Sequence, residues 1–399
     1  MSDMNSEIQL DPESMLNLME RDLISENPKV RSKAVQYLGS IKAGEGLLIN
    51  ALNDINSYVQ VAAIRGLGNF ELNELKNENV RLLAEGLKNH NEYIRIETIK
   101  SLTKLGVKDF INTFIELLDE TNPYIVTEVL SAIRKLNIIE ASDKVQVLLS
   151  HHNSFIVKEA LETLVLFNYQ PAKSATRDLL NKYYYAPSGK FNNIILSSLI
   201  NACEKLDISD SSQTLIQIAQ TKIGLRGKAV KALLKLNAKE AAPLLTTFLS
   251  DPSRKLKKNI INLIRKANYR DALPLIRPLL NDPSSFIRKA SLLAIRDFND
   301  DISIPKVKEM VFSEPTPFNR MLALDVLVSL INQESYSLLI KLLDDTNSGI
   351  RKICAEKLGE LKFKIPETIE IIRFLLRDEI DLEVIEKAKE TLSILENLT

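Results

Sequence analysis

The sequence is poor in the residues that break helices or build disulfide-rich folds. Its 399 residues include only 12 Gly, 14 Pro, 2 Cys and no Trp, while 45% of them are hydrophobic. So few glycines and prolines indicate a helix-rich chain with short loops. The two cysteines, Cys203 and Cys354, are too few for a disulfide framework.

A charge excess of one sign and long apolar runs are also missing. The 52 Lys and Arg balance 52 Asp and Glu, so no overall field attracts nucleic acid or membranes. No apolar run is long enough to predict a membrane span, and the polar N-terminus MSDMNSEIQLDPES has no signal-peptide core. We therefore expect a cytoplasmic protein whose residues 1–10 form a disordered tail.

What the sequence does contain is a repeat whose copies lie 29 to 35 residues apart. Each copy begins with a turn and an apolar anchor, and apolar or small residues follow four and eight positions later, as on one face of a helix. Examples are NSYVQVAAIRGLG (56–68) and NSGIRKICAEKLGEL (347–361). The twelve anchors are Val30, Val59, Ile94, Ile125, Ile156, Phe191, Leu225, Leu256, Ile287, Asn319, Ile350 and Val384. At the tenth, where Asn319 breaks the pattern, we expect Phe318 to supply the apolar contact.

A second amphipathic segment, such as VKDFINTFIELLDE (107–120), lies between successive anchored helices. A helical hairpin this small cannot bury its own apolar face, so neighbouring hairpins must stack. The sequence therefore predicts an all-α fold, an α-α superhelix of about twelve helical hairpins that forms a single solenoid over residues 11–399.

The unit ALPLIRPLLNDPSSFIRKASLLAIRDF (272–298) resembles a HEAT repeat. A proline interrupts its first helix, an acid closes the turn, and an apolar–Arg pair opens its second helix. Because standard HEAT units run to about 40–47 residues, the shorter period is similar to the compact HEAT-like repeat of phycobilisome-lyase-type proteins. The resemblance implies a scaffold or adaptor without catalytic residues, with the second helices lining a concave surface.

Charged residues recur at two positions around the anchors. In seven units an acid stands five residues before the anchor, and in seven a Lys or Arg stands one residue after it. We expect these columns to form a structural ladder that links each turn to its neighbour, each exposed pair adding less than about 1 kcal/mol; a ligand site is the less favoured interpretation. The ladder is predicted to include Arg226, Lys257, Arg288, Arg320, Arg351, Asp251, Asp282, Glu314 and Asp345.

One segment departs from the even distribution of charge. Residues 220–296 hold 17 Lys and Arg but four acids, so this stretch carries a charge of +13. Lys258 and Arg265 lie opposite the apolar stripe of their helix, and Lys289 and Arg296 occupy the same positions in the next unit. These four cations, flanked by Lys231 and Lys235, form a predicted basic block.

We interpret the basic block as a contact surface for an anionic partner, because interleaved acids are nearly absent from the segment. The first hypothesis is a non-enzymatic scaffold that binds an acidic protein segment there. The alternative is sequence-independent nucleic-acid binding through the same block, with an affinity that falls steeply with salt. Anionic lipid headgroups and an ordinary solvated helix face are the other interpretations.

Three consecutive tyrosines form a further candidate contact. Tyr183, Tyr184 and Tyr185 lie in NKYYYAPSGKF (181–191), which the sequence predicts to be a loop because of its Pro, Ser and Gly. The three rings cannot all face one side, so one of them could meet a partner. The favoured interpretation is that two rings pack on neighbouring helices and the third lies on the surface.

Candidate catalytic and ligand groups are scarce. His90, His151 and His152 have no Cys or carboxylate cluster at zinc-ligand spacing, so we predict neither a metal nor another cofactor. The phycobilisome-lyase resemblance implies a bilin-lyase role, which we rank below both binding hypotheses. A glycosylase role, found among HEAT-like folds, is disfavoured by the absence of Trp and of a matching Asp.

Overall fold

The computed structural model describes residues 12–187, 190–236 and 240–398. All regular elements in these ranges are helices. The chain divides into two compact units, Met1–Ile208 and Ser209–Thr399, and each unit contains six helical hairpins. The predicted all-α fold of about twelve hairpins is therefore confirmed. The predicted tail at residues 1–10 lies outside the described residues, and a single continuous solenoid stays a prediction.

The first unit alternates the first and second helices of its hairpins. They are α1 (Pro12–Leu23), α2 (Pro28–Ser40), α3 (Glu45–Ala51), α4 (Ser57–Leu67), α5 (Asn77–Glu85), α6 (Glu92–Leu105), α7 (Ile111–Glu116), α8 (Pro123–Leu136), α9 (Ser142–Val147), α10 (Ser154–Leu166), α11 (Lys173–Tyr185) and α12 (Lys190–Lys205). Successive second helices, from α2 to α12, pack against one another. This unit is therefore a stack in which each hairpin covers its neighbour.

The second unit repeats this arrangement. Its helices are α13 (Ser212–Thr221), α14 (Arg226–Lys235), α15 (Ala241–Leu249), α16 (Arg254–Ala267), α17 (Leu273–Ile276), α18 (Ser285–Asp297), α19 (Ile304–Ser313), α20 (Pro317–Ile331), α21 (Tyr336–Leu342), α22 (Ser348–Leu361), α23 (Ile365–Asp378) and α24 (Leu382–Glu396). The second helices from α14 to α24 again pack in sequence.

Local sequence explains where the second helices begin and end. The side chains of Asn91 and Asn122 each accept a hydrogen bond from a backbone N–H of the following helix, so they cap α6 and α8. At the other end, Asn137 and Asn268 adopt left-handed backbone conformations with φ of 54° and end α8 and α16. Between these signals the apolar anchors, such as Ile125, are buried in the stack.

The tenth unit differs from the sequence prediction. Phe318 does not replace the apolar anchor, because its side chain is 56% exposed. Asn319 itself is buried, with 2% exposure, and its Nδ2 donates a 2.8 Å hydrogen bond to the Ser285 carbonyl at the start of α18. A polar side chain is tolerated there because this bond satisfies its amide. Phe318 is consequently free to face the groove described below.

Candidate functional site

The predicted basic block lies on second helices of the second unit. α16, α18 and α20 pack successively against one another. The Ser253 side chain accepts a hydrogen bond from the Leu256 N–H and caps the start of α16. Because each helix starts directly after its turn, side chains at equivalent positions form rows across the stack.

A groove of about 400 Å³ opens between these three helices. Its lining includes Lys258 from α16, Phe286 and Lys289 from α18, and Phe318 from α20. Both rings are largely exposed, Phe286 by 63% and Phe318 by 56%. The Lys289 Nζ lies 4.1 Å from the centroid of the Phe318 ring. This lysine–phenylalanine groove therefore places the Lys289 ammonium group directly beside an accessible apolar ring, and Lys258 lines the same groove.

The cations of the basic block differ in their contacts. Lys258 is exposed, and it forms no ion pair with the residues that the structure describes. Arg265 pairs with Asp297 at 2.6 Å, and Arg296 approaches Asp297 and Asp325 at 3.5 Å each. The two arginines are thus compensated locally, whereas the lysines of the block line the groove.

A count of charges along the chain does not reveal that Asp297 and Asp325 compensate the arginines of the basic block. A count that ends at Arg296 stops one residue before Asp297, and Asp325 lies 29 residues further on. Phe286 and Phe318 give a usable signal, since both stand one residue before an anchor. That shared offset places them in one row.

The flanking lysines lie on the preceding second helix. Lys231 and Lys235 are both exposed residues of α14, and α14 packs against α16. They extend the cationic character of the stack towards α14, but they are not part of the groove lining.

The charged residues around the anchors meet in ion pairs between neighbouring turns. The Arg288 guanidinium donates two hydrogen bonds, of 2.8 and 2.6 Å, to the Glu314 carboxylate. It also donates to the carbonyls of Asp282 and Pro283 in its own turn, and Glu314 accepts from the Thr316 N–H. One guanidinium therefore ties two consecutive turns together.

Similar pairs recur along the second unit and, less often, along the first. They are Lys257–Asp282, Arg320–Asp345 and Arg351–Glu379 in the second unit, and Arg31–Asp54 and Arg95–Glu120 in the first. Hydrogen bonding from Arg351 lowers the pKa of Glu379 to about 2. Burial alone would raise the pKa of Glu314, but the hydrogen bonds from Arg288 and Thr316 and the charge of Arg288 together outweigh it and lower that pKa. These ion pairs join consecutive turns of each stack, and their contribution to stability stays a prediction.

Arg226 and Asp251 do not join this series in the structure. The Arg226 guanidinium donates to the carbonyls of Ala219 and Gln220 and lies 4.9 Å from the centroid of the Phe248 ring. Asp251 accepts from the Ser253 N–H instead. The aromatic ring of Phe248 takes the place beside this arginine that a carboxylate occupies in the other units.

The tyrosine triplet lies in a helix rather than in the predicted loop. α11 continues through Tyr185, so residues 181–185 are helical. Tyr184 and Tyr185 meet edge to face with ring centroids 4.8 Å apart, and Tyr185 is 72% exposed. Burial raises the pKa of Tyr183. A helical turn spreads three consecutive rings around the axis, which leaves Tyr185 as the most accessible of them.

The described part of the chain offers few groups for catalysis. No group of three or more His, Cys, Asp or Glu residues there could hold a metal ion. Both cysteines are buried, and burial raises the pKa of the Cys354 thiol well above its ordinary value. Within the described ranges no helix is both long and apolar enough to cross a bilayer.

Comparison with known proteins identifies the repeat. Residues 44–134 and 242–328 match the family model for HEAT repeats, which confirms the resemblance seen in the sequence. No curated protein matches the chain. The narrower likeness to the phycobilisome-lyase-type repeat stays a prediction.

Solved karyopherin structures share the fold. The karyopherin Kap121p is 13% identical, with a TM-score of 0.52 over 98% of this chain and 50% of its own. Importin beta is 12% identical, with a TM-score of 0.52 over 96% of this chain and 62% of its own. This chain therefore spans about half to three fifths of their length. At these identities the likeness establishes the architecture alone.

Proposed function

We propose that this HEAT-repeat chain is a non-enzymatic scaffold that binds an acidic segment of a partner protein in the lysine–phenylalanine groove. The observation that carries the proposal is the juxtaposition of Lys258 and Lys289 with the exposed rings of Phe286 and Phe318. Such a groove suits a peptide that alternates carboxylates with an apolar side chain, since buried aromatic anchors and rim charges together give affinity and specificity.

Solved structures with a similar fold support the proposal that the partner is a protein. Kap121p has been solved bound to the extreme C-terminus of the phosphatase Cdc14p, to the SUMO protease Ulp1p and to Nup53p. Those complexes are properties of Kap121p, and they show that a related stack can hold protein segments. The cytoplasmic location expected from the sequence remains part of this proposal.

Nucleic-acid binding is the weaker alternative. A phosphate-binding surface needs several uncompensated cations along one backbone. Asp297 and Asp325 lie among the arginines of the basic block at 2.6–3.5 Å, and they would repel phosphates. The exposed rings of the groove also favour a partner with apolar side chains.

The test compares charge reversals in and outside the groove. We expect Lys258→Glu combined with Lys289→Glu to weaken binding of fluorescent acidic peptides, each with one Leu or Phe between glutamates, by about tenfold or more. Binding is measured by anisotropy. The lysines are preferable to Arg265 and Arg296, because reversing an arginine would also break its ion pairs with Asp297 or Asp325.

The charge-matched control is Lys108→Glu combined with Lys308→Glu, two exposed lysines outside the groove, which should bind the peptides as the wild-type protein does. Equal binding by the groove variant and the wild type would contradict the proposed site. Salt-sensitive binding of labelled DNA or RNA in preference to the acidic peptides would favour the alternative.

A further inference from the structure

A second groove in the second unit is lined by carboxylates, in contrast to the lysine–phenylalanine groove. It has a volume of about 890 Å³ and lies between the first helices α21 and α23. Apolar side chains form much of its wall, including Ile340, Ile371 and Leu375. Phe374 and Ile380 project into reach of solvent, with exposures of 66% and 89%. This apolar surface has no covering element within the described residues.

Carboxylates surround the apolar wall. The charged lining comprises Asp344, Asp345, Glu370, Asp378, Glu379 and Arg351. Asp345 and Glu379 are held by the ladder residues Arg320 and Arg351, and Glu370 pairs with Arg373 at 2.8 Å.

Two of these carboxylates have no cationic partner. Asp344 and Asp378 are exposed, and neither forms an ion pair with any residue that the structure describes. The rim therefore retains two carboxylates outside any ion pair with a described residue, and the Arg377 guanidinium lies 6.0 Å from the centroid of the Phe374 ring.

The corresponding groove of the first unit shows that this character is not a general consequence of the repeat. That groove lies beside the Arg95–Glu120 pair, as the larger one lies beside Arg351–Glu379. Its volume is about 440 Å³, and His90, Thr113 and Glu116 lie beside Leu87 and Leu117 in its lining, so its wall is less apolar. The apolar enlargement of the groove between α21 and α23 is therefore not repeated in this groove of the first unit.

We propose that the acidic-rimmed groove between α21 and α23 docks a cationic amphipathic segment of a partner protein. One large apolar side chain of the segment packs beside Phe374 and Leu375, and Lys or Arg residues on either side contact Asp344 and Asp378. Burial of the exposed ring supplies affinity, and the carboxylates select against acidic segments. This goes beyond the proposed function, because it adds a second site that accepts the opposite charge.

The experiment uses the full chain and a fluorescein-labelled peptide in which a Leu-Phe pair lies between two pairs of arginines. We expect wild-type protein to bind this probe in an anisotropy titration. Asp344→Lys with Asp378→Lys, and separately Phe374→Ser, should each weaken binding about tenfold or more. The charge-matched control is Glu116→Lys with Asp119→Lys in the first-unit groove, which should leave the affinity unchanged.

Two further peptides separate charge from apolar contact. A peptide with glutamates in place of the arginines and one with Ser-Ser in place of Leu-Phe should both bind far more weakly. Failure of wild-type protein to bind the probe, or equal binding by either comparison peptide or by either groove variant, would overturn the proposal. Far-UV circular dichroism of each variant checks that the surface substitutions leave the fold intact.

Two further measurements test whether a second copy of the chain occupies this groove and whether it acts independently of the lysine–phenylalanine groove. If sedimentation shows that the wild-type chain dimerises and Phe374→Ser abolishes the dimer, the groove holds a second copy and the proposal is wrong. The variant with Lys258→Glu and Lys289→Glu should bind the cationic probe normally. The two sites can therefore succeed or fail independently.

Discussion

The two units present different side chains at equivalent positions of their second helices. One residue before the anchor, both units carry exposed aromatic rings: Tyr58, Tyr93, Tyr124 and Phe155 in the first, and Phe286 and Phe318 in the second. Two residues after the anchor they diverge. At that position the first unit has Val61, Ile96, Thr127 and Lys158, and the second has Lys258 and Lys289. Lys158 pairs with Glu159 and Glu162 on its own helix, whereas Lys258 and Lys289 line the groove.

This difference separates the contribution of the rings from that of the charges. A row of rings by itself recurs in both units, so it provides a general apolar contact surface. The combination with lysine occurs where Lys258 and Lys289 join Phe286 and Phe318 in one groove. Under the proposed function, the lysine positions would give the second unit a preference for an acidic segment.

The units also differ in how their turns are joined. The second unit has four consecutive ion pairs, from Lys257–Asp282 to Arg351–Glu379. In the first unit, Val126 and Val157 occupy the position of the cation and are buried, with 1% exposure each. The residue after the anchor can therefore be either a buried valine or the cation of an ion pair. The contribution of the ion pair to stability depends on protonation and on correct pairing.

Among the variants that test this difference between the units, Arg288→Ala should cause the largest loss of stability. The substitution leaves the buried Glu314 carboxylate and two turn carbonyls without their donor, so we expect a loss of about 3 kcal/mol of stability. Hydrogen exchange should show the loss in α18 and α20. Arg254→Ala, an exposed arginine in the same unit, should change stability by less than about 0.5 kcal/mol. A similar small effect for Arg288 would show that the ion pairs do not stabilise the stack.

A smaller effect should appear on acidification. Because Arg351 lowers the pKa of Glu379 to about 2, the stabilisation is complete above the ordinary carboxyl pKa of about 4.3 and is lost as the pH falls towards 2. We expect Glu379→Gln to remove about 1–2 kcal/mol of this pH-dependent stability around α22 and α23.

The measurement is hydrogen exchange of the α21–α24 segment at a series of pH values, compared with the α8–α10 segment around Val126 and Val157. Glu383→Gln removes an exposed pair with Lys352 and is the control. If Glu379→Gln and the wild type lose protection in parallel, the ion pair is not the source of the acid sensitivity.

The smallest expected effect is a transfer of the lysine row to the first unit. Val61→Lys with Ile96→Lys would place ammonium groups beside Tyr93 and Tyr124. We expect a gain of about fivefold in affinity for the acidic peptides, or about 1 kcal/mol. The double variant should be titrated in the background of Lys258→Glu and Lys289→Glu, so that the original groove does not contribute. No gain would mean that lysine beside a ring is insufficient, and that the groove shape decides binding.

The sequence was a good guide wherever neighbouring residues decide the structure. The helix caps at Asn91 and Asn122 and the buried anchors such as Ile125 follow from local rules and from the helical period. The same reasoning was wrong for Tyr183–Tyr185, because the helix continues past the expected loop start. The prediction that Phe318 fills the anchor position was also wrong. The buried side chain of Asn319 occupies that position and is satisfied by a hydrogen bond.

The sequence by itself determined the repeated hairpin, because the 3.6-residue period turns a spacing along the chain into a face of a helix. Only the tertiary structure decided which charges meet. Asp297 compensates Arg265 across 32 residues, and Ile340 and Phe374 line one groove. Both arrangements depend on the distance between stacked helices. That distance is set by the packing of side chains from several hairpins, which no single segment encodes.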